Sequence, residues 1–128
     1  MPARPVLDPL MTTPTVSPYT PALVAGPFVF LSGQTGRDPA TQKAGATIEE
    51  QAEQALTNMR RVLGAAGADL SHVVSVTIFL ARRDDMQGMN AVYRRFFSEP
   101  YPTRATAIVN LGRPDSLIEM QVVAYTGE

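Results

Sequence analysis

The sequence predicts a single α+β domain: a mixed five- to six-stranded sheet with two helices on one face. Three observations carry this. Residues 48–63 hold apolar side chains at helical spacing behind a capping signal, residues 86–97 repeat such a stripe, and short alternating or apolar runs flank and separate them. The order strand, strand, helix, strand, helix, strand, strand leaves two helices for the whole sheet, enough to cover one face only.

Residues 1–17 are rich in Pro and Thr and lack periodicity, so they read as an extended arm, ordered only where it packs, ahead of a domain at 18–128; Met11 is a possible alternative start. Ala22-Leu23-Val24-Ala25 and Phe28–Ser32 form two strands around a Gly26-Pro27 turn. Ser32-Gly33-Gln34 ends the second, with one more short strand expected around Gly36. Asp38-Pro39-Ala40-Thr41 is a turn, and Thr47 three residues before Glu50 makes a capping box for the first helix. Its stripe is Ile48, Ala52, Ala55, Leu56, Met59, Val62 and Leu63, closed by Gly67.

Val73–Leu80 follows as a strand, with Val74, Val76, Ile78 and Leu80 on one side and Ser75, Thr77 and Phe79 on the other. Asp84 is placed to cap the second helix, whose stripe is Met86, Met89, Val92, Tyr93, Phe96 and Phe97. Pro100 and Pro102 impose an extended entry into a strand from about Arg104 to Asn110. Gly112-Arg113-Pro114-Asp115 then turns the chain into a last strand at Leu117–Tyr125. The uncovered face is expected to hold Phe79, Val73, Leu117 and Val123 beside Arg104, Glu119 and Thr77. Such a mixed face suits an oligomer with polar clefts at its joints.

Composition narrows the chemistry. The chain of 128 residues has a net charge of −1, which gives no general grip on nucleic acid. The pairs Arg60-Arg61, Arg82-Arg83 and Arg94-Arg95 read as solvated helix or loop charges. There is no cysteine, so disulfides, thiolate zinc sites and cysteine nucleophiles are absent. The single histidine, His72, sits in a turn, and no acidic cluster has metal-loop spacing, so neither a metal nor another cofactor is expected. Pro2, Pro5, Asp8 and Pro9 stand where a secretory signal would be apolar, and the reading is cytoplasmic, with no membrane span.

Arg104 and Glu119 are the leading site candidates. Alternation sets Arg104, Thr106 and Asn110 opposite Ala105, Ala107 and Val109, and sets Glu119 and Gln121 opposite Ile118, Met120 and Val122. An arginine fork, a carboxylate and a hydroxyl on strand surfaces either face water or line a pocket; a plain salt bridge between the two charges is the competing structural reading. Tyr19 can equally pin the arm, Asn90 can serve as a helix hydrogen-bonder, and Ser32-Gly33 can simply bend the chain.

Several ordered motifs resemble the RidA/YjgF/YER057c/UK114 family of small enamine/imine deaminases, over about Ser17 to Tyr125. They are Ser17-Pro18-Tyr19, Phe28–Gln34, Asp38-Pro39-Ala40-Thr41, Ile48-Glu49-Glu50-Gln51, Ala65–Leu70, Val73–Thr77, Met89-Asn90-Ala91-Val92-Tyr93, Pro102–Thr106 and Ile118-Glu119-Met120. The resemblance implies a chorismate-mutase-like fold and a homotrimer with clefts between subunits. It implies that Arg104 clamps a substrate carboxylate, that Glu119 positions water for attack on an imine, and that Tyr19, Ser32, Gly33, Asn90 and Thr106 line or shape the cleft. Ser17, Pro21-Ala22, Ala105 and Asn110-Leu111-Gly112 depart from the family's usual residues and bear on pocket shape.

The expected reaction is hydrolysis of 2-aminoacrylate/2-iminopropionate-type intermediates to a 2-keto acid and ammonia. The alternatives are a non-catalytic trimeric module binding 2-keto acids or similar carboxylates, and a pathway-specific deaminase of aminoacrylate or aminomuconate type. A ribonuclease activity, also attached to the family's name, finds no histidine pair or metal cluster here.

Overall fold

The computed structural model describes residues 3–10 and 17–127. Two strands, β2 (Ala22–Ala25) and β3 (Phe28–Leu31), pair antiparallel with Ala25 opposite Phe28. The two-residue turn between them needs a positive φ, and Gly26 supplies it at 59°. β3 leads to a two-residue strand, β4 (Gln34–Thr35), then helix α1 (Ile48–Ala65), strand β5 (Val73–Leu80), helix α2 (Met86–Phe96), β6 (Thr103–Ile108) and β7 (Ile118–Tyr125). The expected architecture of two helices against one face of a mixed sheet is borne out.

The sheet is larger than expected. It has seven strands, because Arg4–Val6 of the arm forms an edge strand, β1, and β4 pairs with β7. Its order is β1-β2-β3-β7-β5-β6, with β5 and β6 parallel and the other pairs antiparallel. Composition did not betray β1: Arg4-Pro5-Val6 has no strand pattern, and Val6 is buried only because the β2 edge and the core receive it. The bidentate pair of Arg61 with Asp8, at 2.9 Å to each carboxylate oxygen, ties the segment after β1 to α1. Residues 11–16 of the expected arm, with Met11, lie outside the described residues.

α1 starts where the sequence places it. The Thr47 hydroxyl accepts from the Glu50 N–H at 3.2 Å, while the Glu50 carboxylate accepts from Ala46 N–H at 3.1 Å, one residue before the usual capping-box donor. Gly67, at φ 82°, closes the helix. α2 differs: Asp84 lies in a short 3-10 turn, Arg83–Asp85, and Asp85 takes the cap position with its carboxylate held by Arg82. His72 has a job in its turn, since its Nδ1 accepts from the Asp69 N–H at 3.0 Å.

The core lies between the helices and the sheet. Ala52, Ala55, Leu56, Met59, Val62 and Leu63 of α1 and Met89 and Val92 of α2 meet Val29, Leu31, Val76, Ile78, Leu80, Ile118, Met120 and Val122. One reading of strand faces is overturned. A bulge in the β5/β7 ladder between Val73 and Ser75 turns Val73 inward and leaves Val74 exposed, the reverse of simple alternation. Leu117, expected on the uncovered face, packs half-buried against the core.

Polar side chains of α1 hold the loops over one end of the sheet. Gln51 donates to Gly45 O and Asp115 O at 2.8 and 2.9 Å and accepts from Leu117 N–H at 2.7 Å. Asn58 donates to Thr35 O and Arg37 O at 3.0 and 2.9 Å. Buried Arg37 pairs with Asp115, whose carboxyl it holds below the ordinary aspartate range. The loop after β4 and the loop before β7 are thereby fixed at the ends of the two strands that pair at Glu119.

Candidate functional site in two halves

β7 and β4 place one half. Glu119 faces away from the helices, since its neighbours Ile118 and Met120 are fully buried and its partner on β5 is the half-buried Phe79. Across the other edge of β7 it pairs with Thr35. Gly33 lies directly against the carboxylate: a Cβ built there would stand 2.9 Å from the Glu119 Cδ and closer still to Oε2. A side chain at position 33 would therefore evict the carboxylate. The Ser32 hydroxyl donates to Thr20 O at 2.6 Å and the Ser32 N–H to Pro21 O at 2.9 Å, tying the segment that carries Tyr19 to the end of β3. Tyr19 is half exposed. Among the described residues no donor engages the Glu119 carboxylate.

β6 and α2 place the other half. The parallel register sets Arg104 beside Val76 and Thr106 beside Ile78, both of which point into the core. Arg104 is thus on the helix side of the edge strand and Glu119 on the opposite face of the sheet. This corrects the expectation of a shared face: alternation fixes which residues of a strand go together, and the register with the neighbouring strand decides where they go. The competing reading of an Arg104–Glu119 salt bridge within one chain falls with it.

Arg104 Nη1 donates to Asn90 Oδ1 at 2.7 Å, and its guanidinium carbon stands 5.1 Å from the centre of the Tyr93 ring. Asn90 and Tyr93 are three apart on α2, so both reach the same edge of β6. Asn90 takes one of the five guanidinium N–H groups, and no described carboxylate pairs with the rest. Asn90, Tyr93, Arg94, Tyr101, Pro102 and Arg104 line a cleft of ≈ 260 Å³. Burial raises the Tyr93 phenol above its ordinary pKa, the nearby Tyr101 adding to this and Arg104 opposing it. The phenol therefore stays neutral. Its hydroxyl and that of Thr106 are buried without a hydrogen-bond partner among the described residues.

The candidate residues thus separate into two groups. Tyr19, Ser32, Gly33 and Glu119 gather by the ends of β3 and β4, whereas Arg104, Asn90 and Thr106 gather between β6 and α2. Sequence reasoning missed Tyr93, Arg94, Tyr101 and Pro102 as cleft residues. Tyr93 read as core stripe, which it also is; the available signal was its place one turn after Asn90. No group of acidic and histidine side chains among the described residues is arranged to hold a metal, and no helix there is long and apolar enough to cross a membrane.

Comparison with known proteins places the chain in a family. A RutC family protein of Pyrococcus horikoshii is 38% identical over 111 residues, covering 86% of this chain and 88% of that protein. Human 2-iminobutanoate/2-iminopropanoate deaminase is 36% identical over 113 residues, 88% of this chain and 82% of that protein. Among solved structures, RidA from the Antarctic bacterium Psychrobacter sp. superposes with a TM-score of 0.87 at 31% identity, covering 95% of this chain and 99% of that one. TdcF of E. coli, solved with bound serine, gives 0.87 at 28% identity, covering 97% and 100%. The family model described as Endoribonuclease L-PSP matches residues 11–126, and the chain belongs to that family, the RidA/YjgF family.

Proposed function

We propose that the protein hydrolyses reactive 2-imino acids, formed from enamines of the 2-aminoacrylate type, to 2-keto acids and ammonia, in a homotrimer whose sites lie between neighbouring subunits. The observation that carries this is the placement of Arg104 and Glu119 on opposite faces of one sheet, each with hydrogen-bonding capacity to spare. A substrate can meet both only where two copies join. The open face is suited to such packing, since Leu23, Phe28 and Phe30 are 38%, 40% and 46% exposed on neighbouring strands.

Arg104, oriented by Asn90 and backed by the Tyr93 ring, offers a planar fork to the substrate carboxylate. Glu119 of the adjoining copy accepts a proton from water as its oxygen bonds to the imine carbon. The carbinolamine formed from the protonated imine receives that proton on nitrogen, the C–N bond breaks, and ammonia leaves. The hydroxyl proton passes to the released ammonia, giving ammonium, and the oxygen becomes the keto oxygen. The hydroxyls of Thr106 and Tyr93, buried without a partner among the described residues, are the donors available to the polar intermediate. Gly33, having no side chain, lets the chain lie against the Glu119 carboxylate, and Ser32 ties that segment to Thr20.

The name endoribonuclease finds no comparable support. His72 is the sole histidine, and it is occupied by the Asp69 N–H. The proposal is tested by generating 2-aminoacrylate with a serine or cysteine lyase and following keto-acid release. Wild type should accelerate release and Arg104→Ala should not. Equal rates with wild type, with Arg104→Ala and without protein would refute it.

A further inference from the structure

α2 carries two adjacent arginines with different surroundings. Arg95 turns to α1, where its guanidinium meets Glu53 at 2.7 Å. Arg94 turns to the β6 side and lines the same ≈ 260 Å³ cleft as Arg104. No described carboxylate pairs with it, and none of the six residues lining the cleft is acidic. Arg94 stands four residues after Asn90, on the same helix face and about 6 Å further along the axis. Because Asn90 is bonded to the Arg104 guanidinium, the two cations occupy successive levels of one cleft. Tyr101 and Pro102 wall it, and the last turn of a helix favours a positive side chain.

A monocarboxylate held by Arg104 leaves Arg94 facing the cleft without an anion. We infer that the cleft is built for 2-imino and 2-keto acids with a second carboxylate, Arg104 holding the carboxylate beside the reacting carbon and Arg94 the distal one. This deepens the proposed function and rests on it for the reaction, but binding can be read separately. A four- or five-carbon dicarboxylate spans one helical turn; a monocarboxylate of the same length ends in a methyl group beside a guanidinium. The distal charge therefore confers selectivity through a charge-assisted pairing the monocarboxylate cannot make.

The test is calorimetry with the full chain, using 2-oxoglutarate and oxaloacetate against 2-oxobutanoate, for wild type and Arg94→Gln. Arg94 is exposed, so the substitution should leave the fold intact, checked by circular dichroism. The dicarboxylates are expected to bind at least tenfold more tightly to wild type, and Arg94→Gln should reduce that ratio to near one. A second arm makes the corresponding imino acids with an amino-acid oxidase in the presence of catalase and compares kcat/KM across the same pair; the ratio should fall in parallel. Equal affinity for both classes in wild type, a ratio unchanged by Arg94→Gln, or no binding of any keto acid would overturn the inference. Hydrolysis of imines with no preference between the classes would refute the dicarboxylate assignment and leave the proposed function standing. Selective dicarboxylate binding without turnover of any imine would do the reverse.

Discussion

Mixing two inactive variants should restore activity. If Arg104 and Glu119 act on one substrate from different copies of the proposed homotrimer, then Arg104→Ala and Glu119→Gln each abolish every site of their own assembly. Removing the fork costs two charge-assisted bonds at about 1.5–3 kcal/mol each, hence about 3 kcal/mol or more and at least a hundredfold in kcat/KM. Removing the base costs about 10²–10⁴-fold. In randomly mixed trimers each site draws Arg104 from one copy and Glu119 from its neighbour, so about a quarter of sites regain both groups in a closed three-fold ring. The assay is keto-acid release after the variants are co-unfolded and refolded at equal ratio, with each refolded alone as control. Recovery to about a quarter of wild-type rate is expected. No recovery in mixtures shown by mass spectrometry to contain hybrid trimers would refute the two-copy site.

Two glycines against different neighbours should give opposite outcomes. Gly33→Ala directs its Cβ at the Glu119 carboxylate, the end of a flexible side chain, so kcat should drop by about tenfold or more with Tm nearly unchanged. At Gly36 a Cβ would meet backbone, 2.5 Å from Gln51 O, so Gly36→Ala should cost about 1–3 kcal/mol by urea unfolding. Tyr93→Leu removes the ring behind Arg104, worth about 0.5–2 kcal/mol, and should raise KM several-fold, while Tyr93→Phe, which keeps the ring, should keep KM within about twofold.

The N-terminal segment should loosen in acid. Its Arg61 hydrogen bond holds the Asp8 carboxyl below the ordinary aspartate range, outweighing the opposing effect of burial. A carboxyl with a folded-state pKa below its unfolded value adds stability above the unfolded pKa, and that stability is lost as pH falls through the folded one. At neutral pH Asp8→Asn should thus cost about 1–2 kcal/mol and speed amide exchange in β1, and it should flatten the acid limb of the stability profile below the usual aspartate range. An unchanged acid limb in the variant would refute this role.

The helices, the hairpin and the long strands were legible in the sequence because each rests on local rules. The Thr47 cap, the α1 stripe and Gly67 bound one element without reference to any other. Gly26 does the same for the hairpin. Less local features escaped. β1 exists because an open sheet edge and Asp8–Arg61 receive it, and Val73 and Val74 exchange faces because β7 pairs with a bulge. Asp84 yields the cap position to Asp85 because a 3-10 turn delays the helix.

The candidate site divides in the same way. From sequence come the residue types, their alternation and their motif context, enough to single out Arg104, Glu119, Tyr19, Ser32, Gly33, Asn90 and Thr106. The tertiary structure decided where they stand. The parallel pairing of Val76 with Arg104 turns the arginine toward α2, while the antiparallel pairing of Phe79 with Glu119 leaves the carboxylate on the open face. Strand alternation has a period of two and cannot say which phase faces the core; only the register with neighbouring strands does, and here it separates the two charges.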